Sequence, residues 1–263
     1  MTAPTAPTAF ASTLRDWRTR RRLSQLELAL RAGTTQRHLS FIEMGRSRPG
    51  RDMVVRLAES LELPLRERNT LLHTAGFAPV YPQTAPTDPG MRPVMAALRQ
   101  VLDGHQPYPA IVTDRYGETL AVNAALGVLT EGCDPVLVAP GFNALRLALH
   151  PDGMAPRIVN LDQWGRHITE RLRQEIARNP DDRLADLLAE LEGYLADHPI
   201  DRGAGFLGFA VPLRLRTEDG ELRLLTTLAT FGTGLDVTLA ELMLEAFLPA
   251  DEATAEVLRR RAA

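Results

Sequence analysis

The sequence contains no lysine and a single cysteine, Cys133, among its 263 residues. One cysteine excludes an intramolecular disulfide and a cysteine-based zinc site, because both need several thiols. No apolar run approaches the roughly 18 residues that a membrane-spanning helix requires. Residues 1–9 also lack the basic segment and apolar core of a secretion signal. These absences predict a cytoplasmic protein that makes no use of a membrane.

The charge is divided unevenly along the chain. Through Val80 there are 13 arginines and 7 acidic residues, a net charge of +6. The remaining 17 arginines face 26 acidic residues, a net charge of −9, which gives the overall −3. A small basic region followed by a larger acidic one is expected when only the first part meets a polyanion.

The length suggests two domains at roughly 100–200 residues each. Four prolines within 76–90 mark a connector that has no apolar periodicity. We therefore predict a flexible N-terminus over 1–9, a helical domain over 10–76, a proline-rich linker over 77–90 and a second domain over 91–263. The helix predicted at 91–102 carries an apolar stripe, which suits packing on the second domain or on another protomer.

The second domain shows both strand and helix patterns. Turn sequences separate segments of strand character, and between them lie segments with helical spacing of apolar residues. The predicted strands are 110–114, 118–122, 206–217, 221–231 and 237–247, and the predicted helices are 143–149, 161–178 and 183–196. The pattern predicts an α+β domain with helices packed on an antiparallel sheet.

Residues 24–44 have the pattern of a helix-turn-helix. Ser24 and Glu27 form a capping box that begins a short helix, and Gly33 suits the left-handed turn that ends it. Thr34 or Thr35 then begins a second helix, whose inner face carries Leu39 and Ile42. Such a second helix is offered to the DNA major groove.

The opposite face of this second helix carries side chains that can read base edges. The predicted base-reading residues are Gln36, Arg37, Ser40 and Phe41. Helix N-termini and a flexible arginine loop suit phosphate contacts. The predicted phosphate contacts are Gln25, Thr35, Arg46, Arg48 and Arg51.

The run SQLELALRAGTTQRHLSFIEMGRSRP resembles the xenobiotic-response-element (XRE), or Cro/C1-type, helix-turn-helix family. The resemblance implies a lambda-repressor-like five-helix domain, in which the four base-reading residues just given match base contacts and Gln25 and Arg46 match phosphate contacts. It also implies that Glu43 is a structural acid that braces the following loop. A helical bundle that binds protein is the alternative, and exposure of Phe41 is compatible with it.

Three later segments resemble the ligand-binding domain of the MmyB-like (methylenomycin activator-like) regulators, and the match runs from about Tyr108 to Asp251. They are QPYPAIVTDRYGETLAVNAA, LALHPDGMAPRIVNLDQWGRHI and LRLLTTLATFGTGLDVTLAELMLEAFLPAD. The resemblance implies a PAS-like sensor fold with a pocket between sheet and helices. It also implies an apolar, for instance fatty-acyl, ligand.

The residues themselves are compatible with such a pocket, because small Thr and Ala side chains on a core strand leave space. The predicted pocket residues are His150, Asn160, Trp164, His167, Thr226, Leu228, Thr230 and Phe231. A filled core is the alternative, in which Trp164 is a core residue and His150 ends a helix before a turn.

Enzyme signals are weak. Residues 203–208 match Gly-x-Gly-x-x-Gly, but a predicted strand follows them where a nucleotide-binding fold needs a helix. His167 and Glu170 share a helical face without a partner pair at metal-site spacing. Cys133 has no basic neighbour in sequence that would lower its pKa. We therefore predict no enzyme, no metal and no cofactor other than the apolar ligand.

Together these patterns predict a sequence-specific transcription regulator that binds double-stranded DNA and senses a small apolar ligand. A homodimer is expected, since one module reads too few base pairs to be selective. Two rivals remain: a DNA-tethered protein-interaction module without a ligand, and an enzyme fused to a DNA-binding head.

Overall fold

The computed structural model describes residues 8–197, 211–231 and 234–262. Contacts divide the chain into two units, with the boundary between Thr84 and Ala85, inside the predicted linker. The described part of 233–240 groups with the first unit, although the sequence-based boundaries had assigned it to the second domain. Most of the predicted flexible N-terminus, residues 1–7, lies outside the described residues.

The first unit contains the five predicted helices. They are α1 (Ala9–Arg20), α2 (Gln25–Arg31), α3 (Gln36–Glu43), α4 (Arg51–Ser60) and α5 (Leu65–Thr74). Leu14, Leu28, Leu39 and Leu57 are fully buried and join these helices in one core. The five-helix fold predicted from the sequence is therefore confirmed.

Local sequence determines where α2 begins and how the chain turns between α2 and α3. The backbone N–H of Ser24 donates to Glu27 Oε2 at 2.7 Å, and Glu27 N–H donates to Ser24 Oγ at 3.1 Å. These bonds lower the pKa of the Glu27 carboxyl. Gly33 has φ +64°, the left-handed conformation that glycine adopts without strain. The predicted capping box and glycine turn are both present.

The chain after α5 is bound to the first unit. The Asn69 amide donates to Tyr81 O at 2.7 Å, and its oxygen accepts from the N–H groups of Val80 and Tyr81. The backbone N–H and hydroxyl of Thr84 both donate to Asp236 Oδ2, at 3.0 and 2.6 Å. This part of the predicted linker is therefore ordered by hydrogen bonds.

The segment that contains Asp236 forms a short helix, α11 (Val237–Ala240). Asp236 Oδ1 accepts from Thr238 N–H at 2.8 Å, and Val237 N–H donates to Pro82 O at 2.8 Å. The predicted strand 237–247 is therefore wrong over its first residues. An aspartate cap favours a helical turn there, and the strand begins only at Met243.

The second unit combines six further α-helices with the strands of an antiparallel sheet. The helices are α6 (Arg92–Asp103), α7 (Gly127–Thr130), α8 (Ala144–Leu149), α9 (Leu161–Arg178), α10 (Asp182–Tyr194) and α12 (Glu252–Ala262). The strands are β1 (Ala110–Thr113), β2 (Thr119–Val122), β3 (Leu213–Thr217), β4 (Gly220–Thr230) and β5 (Met243–Pro249). The strand order is β2-β1-β5-β4-β3, and every pairing is antiparallel. The predicted α+β class is confirmed.

The sheet registers place the two predicted hairpins. Ile111 pairs with Val122 in the first, and Leu213 pairs with Leu224 in the second. The predicted strand 206–217 is observed from Leu213 onward, and residues 206–210 lie outside the described residues. Strand β5 lies at the centre of the sheet, paired with β1 and β4, and its residues Leu244, Ala246 and Phe247 are buried.

Helices α9 and α10 supply the core on one face of the sheet. Trp164, Ile168 and Leu172 form the buried stripe of α9, and they belong to one cluster with Leu213 of β3. On α6 the predicted stripe is only partly buried, because Leu98 is covered whereas Val101 is 44% exposed. No helix in the described part of the chain is long and apolar enough to cross a membrane.

Candidate DNA interface and ligand cavity

Helix α3 separates a buried face from an outer one, as its sequence predicts. Leu39 and Ile42 are buried in the first unit's core. The predicted base-reading residues lie on the outer face, where Gln36 and Arg37 are exposed and Ser40 and Phe41 are partly exposed. The Arg37 guanidinium carbon lies 5.5 Å from the centre of the Phe41 ring. This cation–π contact orients one charged donor group along the outer face.

Glu43, at the end of α3, is completely buried and fixes the position of that helix. The Arg18 guanidinium donates to both carboxylate oxygens, at 2.7 and 3.0 Å. Gln25 Nε2 donates to Glu43 Oε2 at 2.8 Å, and Arg15 donates to the Glu43 carbonyl at 2.9 Å. The resemblance implied an acid that braces the following loop, whereas its side chain braces α1 and the start of α2.

The predicted phosphate contacts fall into two groups. The first group already makes hydrogen bonds within the protein. Gln25 Nε2 donates to Glu43, and Thr35 caps α3 because its hydroxyl accepts from His38 N–H at 3.1 Å. Arg46, Arg48 and Arg51 are exposed, and none of their guanidinium groups has a hydrogen bond or ion pair among the residues described. These three cations are thus available to an external anion.

The second unit contains a mostly apolar cavity of about 50 Å³. Its walls come from the sheet, from α7, α8 and α9, and from the chain segments that flank α7 and α8. The lining residues are Ile111, Leu126, Leu129, Thr130, Phe142, Ala144, Leu145, Leu147, Ala148, Met154, Trp164, Ile168, Arg171, Leu213, Glu245 and Phe247.

Arg171 and Glu245 are the two charged residues among those walls, and sequence reasoning missed both. Arg171 follows Trp164 and Ile168 on the apolar stripe of α9, and Glu245 is the acidic residue within the mostly apolar strand β5. Burial raises the pKa of the Glu245 carboxyl, and the positive charge of Arg171 opposes that rise. A charged residue on an otherwise apolar stripe was the available sequence signal.

One of the eight predicted pocket residues, Trp164, lines this cavity, and the other seven do not. Thr226, Leu228 and Thr230 share the cavity's face of the sheet, because they pair with Phe247, Glu245 and Met243. They nevertheless lie beyond the cavity, where β4 becomes exposed. Phe231, partly buried, follows the end of that strand.

The three predicted polar residues outside β4 have other positions. Asn160 is buried, donates to Pro212 O at 2.9 Å and accepts from Arg214 N–H at 3.1 Å, so it ties α9 to β3. His150 ends α8, and its ring meets Tyr194 edge to face at 4.9 Å. The ring of His167 lies 5.7 Å from that of Trp164. Desolvation and the charge of Arg171 lower the pKa of His167.

The residues discussed above as enzyme signals have the following surroundings in the structure. Within 8–197, 211–231 and 234–262, no three His, Cys, Asp or Glu residues form a group that could hold a metal ion. Burial raises the pKa of the Cys133 thiol, although Arg157 opposes that rise. The glycine motif at 203–208 lies outside the described residues.

Comparison with known families assigns both parts of the chain. Residues 94–260 match the family described as MmyB-like transcription regulator ligand binding domain, and residues 14–68 match a helix-turn-helix family. The first match covers more than half of the chain. A search of curated proteins finds no match.

Proposed function

The chain belongs to the MmyB-like transcription regulators, and from this premise we propose how it recognises DNA and what it senses. It is a DNA-binding transcriptional regulator with a ligand-binding domain. In our proposal the outer face of α3 reads the operator, and an apolar small molecule in the second unit changes operator affinity.

The observation that carries the DNA proposal is the contrast between Glu43 and the arginines that follow it. The buried carboxylate is bound on several sides, so the start of α2 and the end of α3 are held together. Arg46, Arg48 and Arg51 have no acidic partner within the described chain. A rigid reading helix with adjacent free cations supplies both base contacts and phosphate contacts.

The apolar walls of the cavity support a ligand with a hydrocarbon part, such as a fatty acyl group. The cavity volume of about 50 Å³ is well below the roughly 150 Å³ of an apolar protein cavity that binds benzene. A larger ligand must therefore displace wall side chains such as Met154. Binding would then favour one conformation over another, which is the thermodynamic requirement for regulation.

Two copies of the chain would make recognition selective. One helix-turn-helix reads a short half-site, and two-fold symmetric dimers read two half-sites about 34 Å apart. We therefore propose a homodimer on a pseudo-palindromic operator. Sedimentation velocity of the full chain tests this, and a monomer that stays monomeric on its operator would contradict it.

The DNA proposal is tested by selecting bound sequences from a random library and titrating the best one in gel shifts at two salt concentrations. We expect specific binding that weakens steeply with salt, because arginines displace counterions from phosphates. Arg99→Ala is the matched control, since Arg99 is an exposed arginine of the second unit. Absence of any shift at low salt would contradict the proposal.

A further inference from the structure

Each of the five helices of the first unit is followed by a residue with a left-handed backbone. After α2, α3 and α5 this residue is a glycine, with φ between +64° and +86°, namely Gly33, Gly45 and Gly76. After α1 it is Arg22, with φ +55°, and after α4 it is Glu62, with φ +52°. These two are the residues other than glycine that have a positive φ in the described chain. Both occupy positions at which glycine would be less strained.

No hydrogen bond or ion pair within the protein explains why an arginine occupies position 22. Arg22 is exposed, and its guanidinium has no such partner among the residues described. The preceding residue differs, because the Arg21 guanidinium donates to Leu61 O at 3.0 Å and its carbon lies 5.4 Å from the centre of the Trp17 ring. Arg21 therefore stabilises the five-helix fold, whereas the charge of Arg22 is left for an external group.

Hydrogen bonds tie the segment that follows Arg22 to the end of the reading helix α3. Arg18 Nη1 donates to the carbonyl of Leu23, the next residue, at 2.8 Å. The same guanidinium binds the buried Glu43 carboxylate, and that carboxylate also accepts from Gln25. Arg22 thus lies one residue from a segment that is fixed to the end of α3, where the loop with the exposed arginines begins.

A backbone phosphate of DNA is the partner that fits these observations. An exposed arginine without an internal acid can form a charge-assisted hydrogen bond with a phosphate oxygen. A glycine would relieve the backbone strain at this position, but it would carry no charge. Glu62 has the same backbone conformation and the opposite charge, so it offers an internal comparison in which phosphate binding is excluded.

We infer that Arg22 is a phosphate contact of the DNA-binding surface, and that its strained backbone is retained because glycine cannot supply the charge. The inference rests on the proposed use of α3 as the reading helix. It extends the contact surface to the residues that precede α2, beyond the loop that carries Arg46 and Arg48. Because a phosphate contact carries no base information, Arg22 should strengthen binding to all DNA sequences alike.

Gel-shift titrations of full-length variants at four salt concentrations test the inference, with the selected operator and an unrelated duplex as probes. Arg22→Gly should weaken binding to both duplexes by about tenfold near 0.1 M salt and reduce the slope of log K against log salt by about 0.9. Arg22→Lys keeps the charge and should keep the slope. Unchanged affinity and slope in Arg22→Gly would overturn the phosphate contact. A loss confined to the operator would overturn it too, because Arg22 would then read bases.

Urea denaturation of the same variants, followed by Trp17 fluorescence in a Trp164→Phe background, separates the charge from the backbone. Arg22→Ala removes the charge but keeps a Cβ in the left-handed conformation. It should therefore unfold at a lower urea concentration than Arg22→Gly and bind DNA equally weakly. Glu62→Gly and Glu62→Ala are the matched controls, which should differ in stability in the same direction and leave the salt slope unchanged.

The remaining outcomes distinguish this contact from the DNA interface as a whole. If Arg22→Lys loses as much affinity as Arg22→Gly, the effect does not depend on the charge and the inference is wrong. If Arg22→Ala is at least as stable as Arg22→Gly, the stated reason for the strained backbone is wrong. If the wild-type chain binds neither duplex, the proposed DNA interface fails together with this contact.

Discussion

Arginine supplies every cationic side chain apart from histidine in this protein, yet it has different surroundings in the two units. On the outer side of the helix-turn-helix, Arg37, Arg46 and Arg48 have no acidic partner among the residues described. In the second unit, Arg146 binds Glu190 at 2.8 Å and Arg214 binds Glu221 at 2.8 Å. The same residue type is thus left available to an external anion in one region and is paired with internal carboxylates in the other.

The difference teaches that net charge is an incomplete guide to DNA binding. What matters is whether a cation already has an anion nearby, because a paired arginine must first give up that partner. On this reasoning, substitution of a paired arginine or its acid should change stability. Substitution of an unpaired one on the outer side of the helix-turn-helix should change DNA affinity.

The largest effect is expected at the buried pair of the first unit. Glu43→Ala leaves the Arg18 guanidinium, 15% exposed, without its carboxylate. Breaking a buried pair in this way should lower the free energy of unfolding by about 3–5 kcal/mol. Urea denaturation followed by Trp17 fluorescence in a Trp164→Phe background measures it. Unchanged stability would contradict the structural role of Glu43, and Arg46→Ala serves as the stability-neutral control.

The next effect is expected on the outer face of α3. Arg37→Ala should cost about 1–3 kcal/mol of binding to the selected operator and relax specificity at one base position. Quantitative gel shifts against the operator and its single-base variants measure both. If affinity falls equally for all variants, Arg37 contacts phosphate and the base-reading assignment is wrong.

A smaller, sequence-independent effect is expected in the loop after α3. Arg46→Ala should weaken binding to all DNA sequences alike and reduce the slope of log K against log salt by about one. Titrations at four salt concentrations measure the slope. Arg99→Ala should leave the slope unchanged, and a loss of affinity at only one base position would place Arg46 in a groove instead.

The smallest effect is expected at a paired surface carboxylate of the second unit. Hydrogen bonds from Arg214 and Arg223 lower the pKa of Glu221 to about 2. A pKa lowered by folding stabilises the protein above the unfolded value, about 4.3 for glutamate, and that stabilisation is lost as pH falls toward 2. Glu221→Gln should therefore cost about 0.5–1 kcal/mol at pH 7.

Denaturation of wild type and Glu221→Gln from pH 7 to pH 2.5 checks this prediction. The two curves should converge as the pH falls. Glu256→Gln is the control, because Glu256 is exposed and has no ion pair in the described chain. A stability difference that persists at the lowest pH would show that Glu221 acts through packing and not through its charge.

Short-range patterns in the sequence predicted the first unit well. The capping box of Ser24 and Glu27 and the turn at Gly33 need only neighbours within a few residues, and both are present. The buried positions of Leu39 and Ile42 followed from helical spacing. The fold class of the second unit was predicted from similar patterns and from a family resemblance.

Long-range pairing explains what the sequence did not predict. The predicted pocket residues Thr226, Leu228 and Thr230 share the cavity's face of the sheet, but which part of that face is enclosed depends on β5 and α9. Arg171 and Glu245 are far apart in sequence and share a cavity only after the sheet and helix pack. The partner of Thr84, Asp236, is 152 residues away along the chain, so no local pattern reveals it.

The bond from Thr84 to Asp236 has a practical consequence for work with truncated forms. A fragment that ends at Thr84 would lose the carboxylate that accepts from its last backbone and hydroxyl donors. A fragment that starts at Ala85 would keep α11 without Pro82, the acceptor for its first backbone N–H. Splitting this protein at its proline-rich stretch therefore damages both products. A stand-alone DNA-binding piece would need residues 234–240 grafted after Thr84 by a short tether.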